Sequence, residues 1–260
     1  MASQAPQLPI MYQQVQPLST QLHANFKTRG TTEAPFLANM HAVPLVVDEF
    51  VSAQRHYPIV FSIGDNPTPL GLMGLNEGVN TFVDEKGALI APTYVPAYLR
   101  RYPFLLARLQ QGDENLSLCF DPASGLVGEF EEGTPLFEDG KPSSATNDIM
   151  KFCEEFEIAA QRTGSFVQEL QKYDLLMDGE LKIDVNGQSQ PFIYRGFKMV
   201  NEEKLRDMRG DELRKMGQNG MLPLIFAHLF SLPLARDVFA RQVAQGKGPQ
   251  VGQQAQPAQA

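Results

Sequence analysis

The chain of 260 residues has no tryptophan, two cysteines and four histidines. Cys119 and Cys153 are too few for a disulfide framework or a cysteine-built zinc site, and both stand among apolar neighbours, so reduced core thiols are expected. His23, His41, His56 and His228 are scattered with no two at a metal-ligand spacing, so neither a metal nor any other cofactor is expected. The phosphate-loop, zinc-protease, nucleophile-elbow and dinucleotide fingerprints are all missing. The nearest glycine pattern, Gly71-Leu-Met-Gly74, reads as backbone crowding in a packed sheet. A basic surplus is missing as well: 22 basic and 30 acidic residues leave a net charge of -8, the wrong sign for a protein that binds nucleic acid phosphates.

What the sequence does have is 43% hydrophobic and 20% charged residues, enough apolar mass for a packed core. The charge is uneven. Residues 111–180 carry 4 basic and 16 acidic side chains, and Glu129, Glu131, Glu132, Glu138 and Asp139 alternate with apolar residues as on a solvated sheet face. No Asp-x-Asp-x-Asp-Gly calcium loop is present. The most apolar run, Met221 to Ala235, has 15 residues, against about 20 for a membrane span, and contains Pro223, His228 and Pro233. A buried terminal helix is expected, with no transmembrane span. The first residues show no basic and apolar export pattern, so a cytoplasmic location is expected, with surface association by another route as the alternative.

The pattern along the chain predicts α+β architecture, with an antiparallel sheet or meander in the first half and helices packing on it from the second. A helix is expected around Val46–Arg55, then strands over Tyr57–Ile63 and Leu70–Leu75 with a turn at Asp65-Asn66-Pro67. A hairpin is expected to join Asn80–Asp84 to Ala88–Ile90 around Gly87. Short strands follow at Leu116–Phe120, Leu126–Phe130 and Pro135–Glu138, with a turn at Asp139-Gly140. From Asn147 the apolar spacing turns helical, with Thr146 or Asn147 as cap and Gly179 as terminator. A second hairpin is expected from Leu181–Val185 and Phe192–Tyr194 around Asn186-Gly187, then a helix capped by Asn201 and a last helix starting near Pro223. Residues 1–18 and 244–260 read as low-complexity tails around a single domain, 19–243.

The densest cluster of functional groups is Tyr94-Val-Pro-Ala-Tyr98-Leu-Arg100-Arg101-Tyr102-Pro103. Two guanidinium groups among three phenols suit a carboxylate or phosphate held bidentately, although adjacent helical positions diverge by about 100°, and a structural helix anchored by ion pairs is the competing reading. His56 and His228 are added as candidate ligand-site residues. His228 stands in the apolar run, where an imidazole needs a hydrogen-bond partner.

The stretches His41-Ala-Val-Pro44-Leu45, Tyr57-Pro58-Ile59-Val60-Phe61, Asn80-Thr81-Phe82-Val83-Asp84, Tyr94 to Phe104, Arg195-Gly196-Phe197 and Ala227-His228-Leu229 together resemble the bacterial SapC family. The resemblance covers roughly residues 10–243. The family is named for a gene linked to a bacterial surface layer and is distinct from the peptide-transporter permease of the same name. It carries over no catalytic residues, and it implies an accessory role in nutrient uptake or modification. The reading expected from all this is a soluble, non-enzymatic accessory protein that binds a protein partner or a small anionic ligand through Tyr94, Tyr98, Arg100, Arg101 and Tyr102. Its rivals are an enzyme of unrecognised class, with His56 or His228 as general base and Tyr94 or Asp121 in support, and an exported surface-layer component.

Overall fold

The computed structural model describes residues 8–109, 115–184 and 190–248. They divide into two compact units: one of residues up to 32 with 98–158, the other of residues 33–97 with those from 159 on. The chain passes from one to the other three times, and no pass carries a Ser/Gly linker. The last lies inside the helix Ser144–Lys172, so no change in composition marks it.

In the first unit, Phe104–Ala107 pairs antiparallel with Ser117–Phe120, Phe104 facing Phe120. Gln16–Pro17 adds to the other edge of Ser117–Phe120. The strands expected further on are shorter than the pattern suggests: Val127–Gly128 and Thr134–Pro135 flank Lys27–Thr28, and Phe137–Glu138 turns back on Lys141–Pro142. Asp139 and Gly140, with φ of 51° and 72°, supply the left-handed pair such a tight hairpin requires. Phe104, Leu118, Phe120, Val127, Leu136, Phe137 and Cys153 form the core, while the five acidic residues of the 129–139 stretch are exposed.

The expected N-terminal tail is corrected over residues 8–18. Tyr12 is buried and its hydroxyl donates to the Phe104 carbonyl at 2.7 Å. The Gln13 and Gln14 amides donate to the Asp121 carboxylate at 2.8 and 3.3 Å. One aromatic anchor and backbone pairing thus order a segment whose Gln/Pro content suggested none. Residues 1–7 and 249–260 of the expected tails, and the Asn186-Gly187 loop, lie outside the described residues.

The second unit is built on a five-stranded antiparallel sheet in the order Leu176–Asp178, Lys198–Val200, Ile59–Phe61, Pro69–Leu72, Ala42–Pro44. Ile59–Phe61 and Pro69–Leu72 are buried at every position, which is why they read as continuous apolar runs. Gly74 has the crowding its pattern implies: a Cβ there would lie 1.8 Å from the Val79 carbonyl oxygen. The helix expected at 46–55 is a 3-10 turn, Val47–Glu49, continued by Phe50–Ala53. Around Gly87 the expected hairpin reduces to one bridge, Val83 to Leu89; the Asp84 carboxylate takes the Ala88 amide and the Asn80 side-chain oxygen takes the Phe82 amide, both of which further pairing would use.

The long helix begins one turn earlier than expected. Ser143, not Thr146 or Asn147, is its cap: Ser143 Oγ accepts the Thr146 amide at 3.2 Å, and the Thr146 hydroxyl is spent on the Leu136 carbonyl. It ends at Lys172 in a reversed turn, with Asp174 at φ 51° and the Leu175 amide bonded back to the Leu170 carbonyl at 2.9 Å. That makes Asp174 the left-handed residue. Gly179 serves another purpose, since a Cβ there would lie 2.1 Å from the Phe197 ring. The hairpin Leu181–Ile183 with Phe192–Tyr194 forms as expected, and the Asn201 side chain caps Glu202–Arg206.

The C-terminal helix runs Met221–Ser231, continues through a 3-10 turn at Leu232–Leu234 and finishes as Ala235–Ala244. This corrects the estimate of its length: the 24 residues Met221–Ala244 are long and apolar enough to cross a membrane by length and composition. Met221, Ile225, Ala227, His228, Leu232, Ala235 and Val238 are nonetheless buried in this unit. Beyond Pro233 the helix turns amphipathic, which a count stopped at Ala235 could not include.

Candidate functional site

The Tyr94–Tyr102 stretch passes from the second unit, which it leaves at Ala97, into the first, which it enters at Tyr98. In the first unit, Tyr98, Arg101 and Tyr102 meet around Tyr12. The Arg101 guanidinium lies 4.1 Å from the centre of the Phe156 ring, 4.7 Å from Tyr98 and 5.9 Å from Tyr12. It pairs with Glu157 at 3.3 Å and is 7% exposed. The rings and Glu157 hold this cation within the unit, while its buried Nε has no hydrogen-bond partner among the described residues. Tyr98 donates to the Ile10 carbonyl at 2.8 Å. Tyr102 packs edge-on against Tyr12, and burial, together with the Asp121 carboxylate, raises its phenol to about 12. Asp121 is itself fully buried and consumed by the Gln13, Gln14 and Ala123 amides. Arg100 faces outward, 5.2 Å above the Phe152 ring.

In the second unit, Tyr94 donates to Glu49 Oε1 at 2.9 Å, and the same oxygen accepts the Ala97 amide. Glu49 is buried, and its other oxygen accepts the Val46 amide at 3.0 Å. This carboxylate pins the 94–97 segment to the start of a helix and is spent on scaffolding.

His228 is equally committed. The strands Lys198–Val200 and Ile59–Phe61 pair at Lys198 and Phe61, and the next facing positions, Val200 and Ile59, are bridged by the imidazole. Nε2 accepts the Val200 amide at 3.1 Å and Nδ1 lies 2.7 Å from the Ile59 carbonyl. A carbonyl only accepts, so Nδ1 carries the proton and the ring is neutral. Complete burial pushes its pKa down to about 4. The Ser231 hydroxyl continues the bridge, accepting the Ile59 amide and donating to the His228 carbonyl. With both nitrogens occupied, His228 is a polar anchor of the sheet and not a general base.

Of the expected residues, His56 lines a cavity. It is a recess of about 90 Å³ bounded by Arg55, His56, Phe82, Ala91, Pro92, Thr93, Leu234, Asp237, Val238 and Arg241. Arg55 and His56 follow the helix Phe50–Ala53, the His56 amide closing it on the Ala53 carbonyl. Asp237, Val238 and Arg241 share one face of Ala235–Ala244, at i, i+1 and i+4. That helix is tied down by Gln242, whose Oε1 accepts the Leu75 amide at 3.0 Å, and by Gln245, whose Nε2 donates to the Thr81 carbonyl at 3.0 Å. These two bonds set Arg241 with its guanidinium 5.0 Å over the Phe82 ring.

The Thr93 hydroxyl, buried at the oxygen, has no hydrogen-bond partner among the described residues. Among the described residues, Arg55, Asp237 and Arg241 take part in no ion pair. The recess therefore offers two guanidinium groups, an imidazole, a hydroxyl and one carboxylate beside an aromatic and aliphatic wall. Such a set suits recognition of a small anion. Among the described residues no group of three His, Cys, Asp or Glu side chains is arranged to hold a metal. Residue spacing did not bring Arg55, Thr93, Asp237 and Arg241 together; the visible signals were the Arg55-His56 pair and the Asp237/Arg241 spacing.

No curated protein and no solved structure matches the chain. The SapC family model matches residues 18–237, a span that holds the whole second-unit recess except Val238 and Arg241, and this chain belongs to the SapC family.

Proposed function

We propose that this SapC-family chain is a binding protein, non-enzymatic and cytoplasmic, that takes a small anionic ligand into the Arg55–Arg241 recess. The observation that carries the reading is the conjunction of two guanidinium groups outside any ion pair with a buried, unpartnered Thr93 hydroxyl in one cavity. Arg55 and Arg241 are exposed, so water also meets their charge, whereas a buried hydroxyl is ordinarily matched within a protein; a bound carboxylate or phosphate would match Thr93 and pair with both guanidinium groups. Tyr94, Tyr98 and Arg101 make internal contacts, and this reading does not draw on the Tyr94–Tyr102 stretch. Two free, buried thiols, Cys119 and Cys153, agree with a reducing compartment. An accessory role in nutrient uptake or in a surface-layer context follows from the family resemblance.

The enzyme reading keeps one foothold, His56 in the same recess, where an imidazole beside an anion clamp has the makings of a base. Thermal unfolding with millimolar phosphate, acetate and citrate tests the proposal, because a ligand that binds only the folded state raises stability with concentration. A saturable shift in the parent, absent in Arg55→Gln/Arg241→Gln, supports it. No shift with any anion contradicts it. Chemical change of the bound anion, lost in His56→Gln, would favour the enzyme.

A further inference from the structure

Asp237 is the odd member of an anion site, since a carboxylate beside two arginines would weaken the field that holds an anion. The usual resolution is an internal ion pair. Asp237 and Arg241 stand at i,i+4, the spacing at which Lys151 and Glu155, and Glu202 and Arg206, do pair on other helices of this protein, at 4.0 and 3.3 Å. Asp237 and Arg241 do not pair, although both line the recess. Arg241 is drawn instead over Phe82, 5.0 Å from its ring centre. Both charges therefore line the recess from one helix face, exposed and unpaired, with the Thr93 hydroxyl, unpartnered among the described residues, on its wall.

We propose that the recess is built for a zwitterion, a small aliphatic α-amino acid. This rests on the small-anion reading of the same site. The ligand carboxylate meets Arg241, Arg55 and the Thr93 hydroxyl, the ammonium group meets Asp237, and the side chain lies against Phe82, Pro92, Leu234 and Val238. Size agrees: at roughly 10–15 Å³ of accessible volume for each water-sized occupant, about 90 Å³ takes a ligand of about six to nine non-hydrogen atoms. Alanine, with six, and valine, with eight, fall in that range. The separation of opposite charges, which inorganic phosphate or acetate lacks, is what makes use of Asp237.

Ligand-detected NMR and thermal shift on the full chain, with alanine, valine, propionate and phosphate at equal concentrations, test this. Alanine and valine are expected to bind about tenfold more tightly than propionate. Asp237→Asn is expected to erase that preference while leaving propionate and phosphate binding intact or improved. If propionate binds the parent as well as alanine does, the zwitterion assignment is overturned and the anion reading stands. If phosphate and propionate bind and alanine does not, the outcome is the same. If none of the four binds, both fall. The comparison among ligands on the parent protein needs no variant, so a poorly folding Asp237→Asn leaves the test decisive.

Discussion

His228→Gln removes the titrating ring from the sheet while keeping a side chain that can both donate and accept. In the parent the neutral imidazole bridges Val200 and Ile59, both fully buried, so an imperfect replacement leaves at least one backbone group short of a partner, at a cost of about 1–3 kcal/mol near pH 7.5. The larger signature is in the pH dependence. The ring has a pKa near 6.5 when unfolded and about 4 when folded. Between those values the unfolded chain binds a proton that the folded chain refuses, so stability falls as pH is lowered from about 6.5 toward 4 and gains nothing further from this group above 7. At about 1.4 kcal/mol per pH unit, that window amounts to about 3 kcal/mol. Burial also lowers the pKa of His23 and His41, which adds to the slope in parent and variant alike. Urea unfolding at pH 7.5 and pH 4.5 should therefore show the parent losing about 2–3 kcal/mol more than the variant on acidification. Parallel losses would refute the buried, neutral imidazole.

Other perturbations separate the expected site from scaffold. Arg101→Ala should cost about 3 kcal/mol through loss of an enclosed cation and its Glu157 pair, while Arg100→Ala, exposed above Phe152, should stay within about 1 kcal/mol by chemical denaturation; equal costs would undo the assignment of Arg101 alone to the core. Tyr12→Ala should cost about 3 kcal/mol, lowering Tm by on the order of 10 °C, and a Tm unchanged by removing residues 1–18 would show that this segment does not pack. Because His228 and Ser231 bond to the Ile59–Phe61 strand, the Met221–Ala244 helix should be extracted by carbonate, and its retention in membranes would contradict that packing.

The strands at Ile59–Phe61 and Pro69–Leu72 were legible because full burial on both faces leaves an uninterrupted apolar run, and Asn201 was legible as a cap because its side chain accepts locally. The N-terminal segment was not, since its order comes from long-range bonds such as the Tyr12 hydroxyl to Phe104, 92 residues away, and the Gln13 and Gln14 amides to Asp121. Composition does not record such a bond. The two arginines at 100 and 101 looked like a clamp because adjacency in sequence hides direction: one helical step turns Arg101 into a cage of rings and Arg100 outward. His228 was legible as a choice between anchor and base, and the missing stretch of ladder between Val200 and Ile59, which decides it, exists only in three dimensions. The recess brings Arg55 beside Arg241, and local pattern cannot report a juxtaposition that depends on Gln242 and Gln245 fastening a terminal helix to the 75–81 segment.

The most direct test is an amide NMR titration of the full chain with a small carboxylate or phosphate. Signals of Arg55, His56, Thr93, Val238 and Arg241 should move together and saturate with one dissociation constant, with Thr93 among the largest because its hydroxyl gains its missing partner. Shifts confined to Arg100 and its neighbours, or scattered without saturation over the basic side chains, would contradict a ligand site in the Arg55–Arg241 recess.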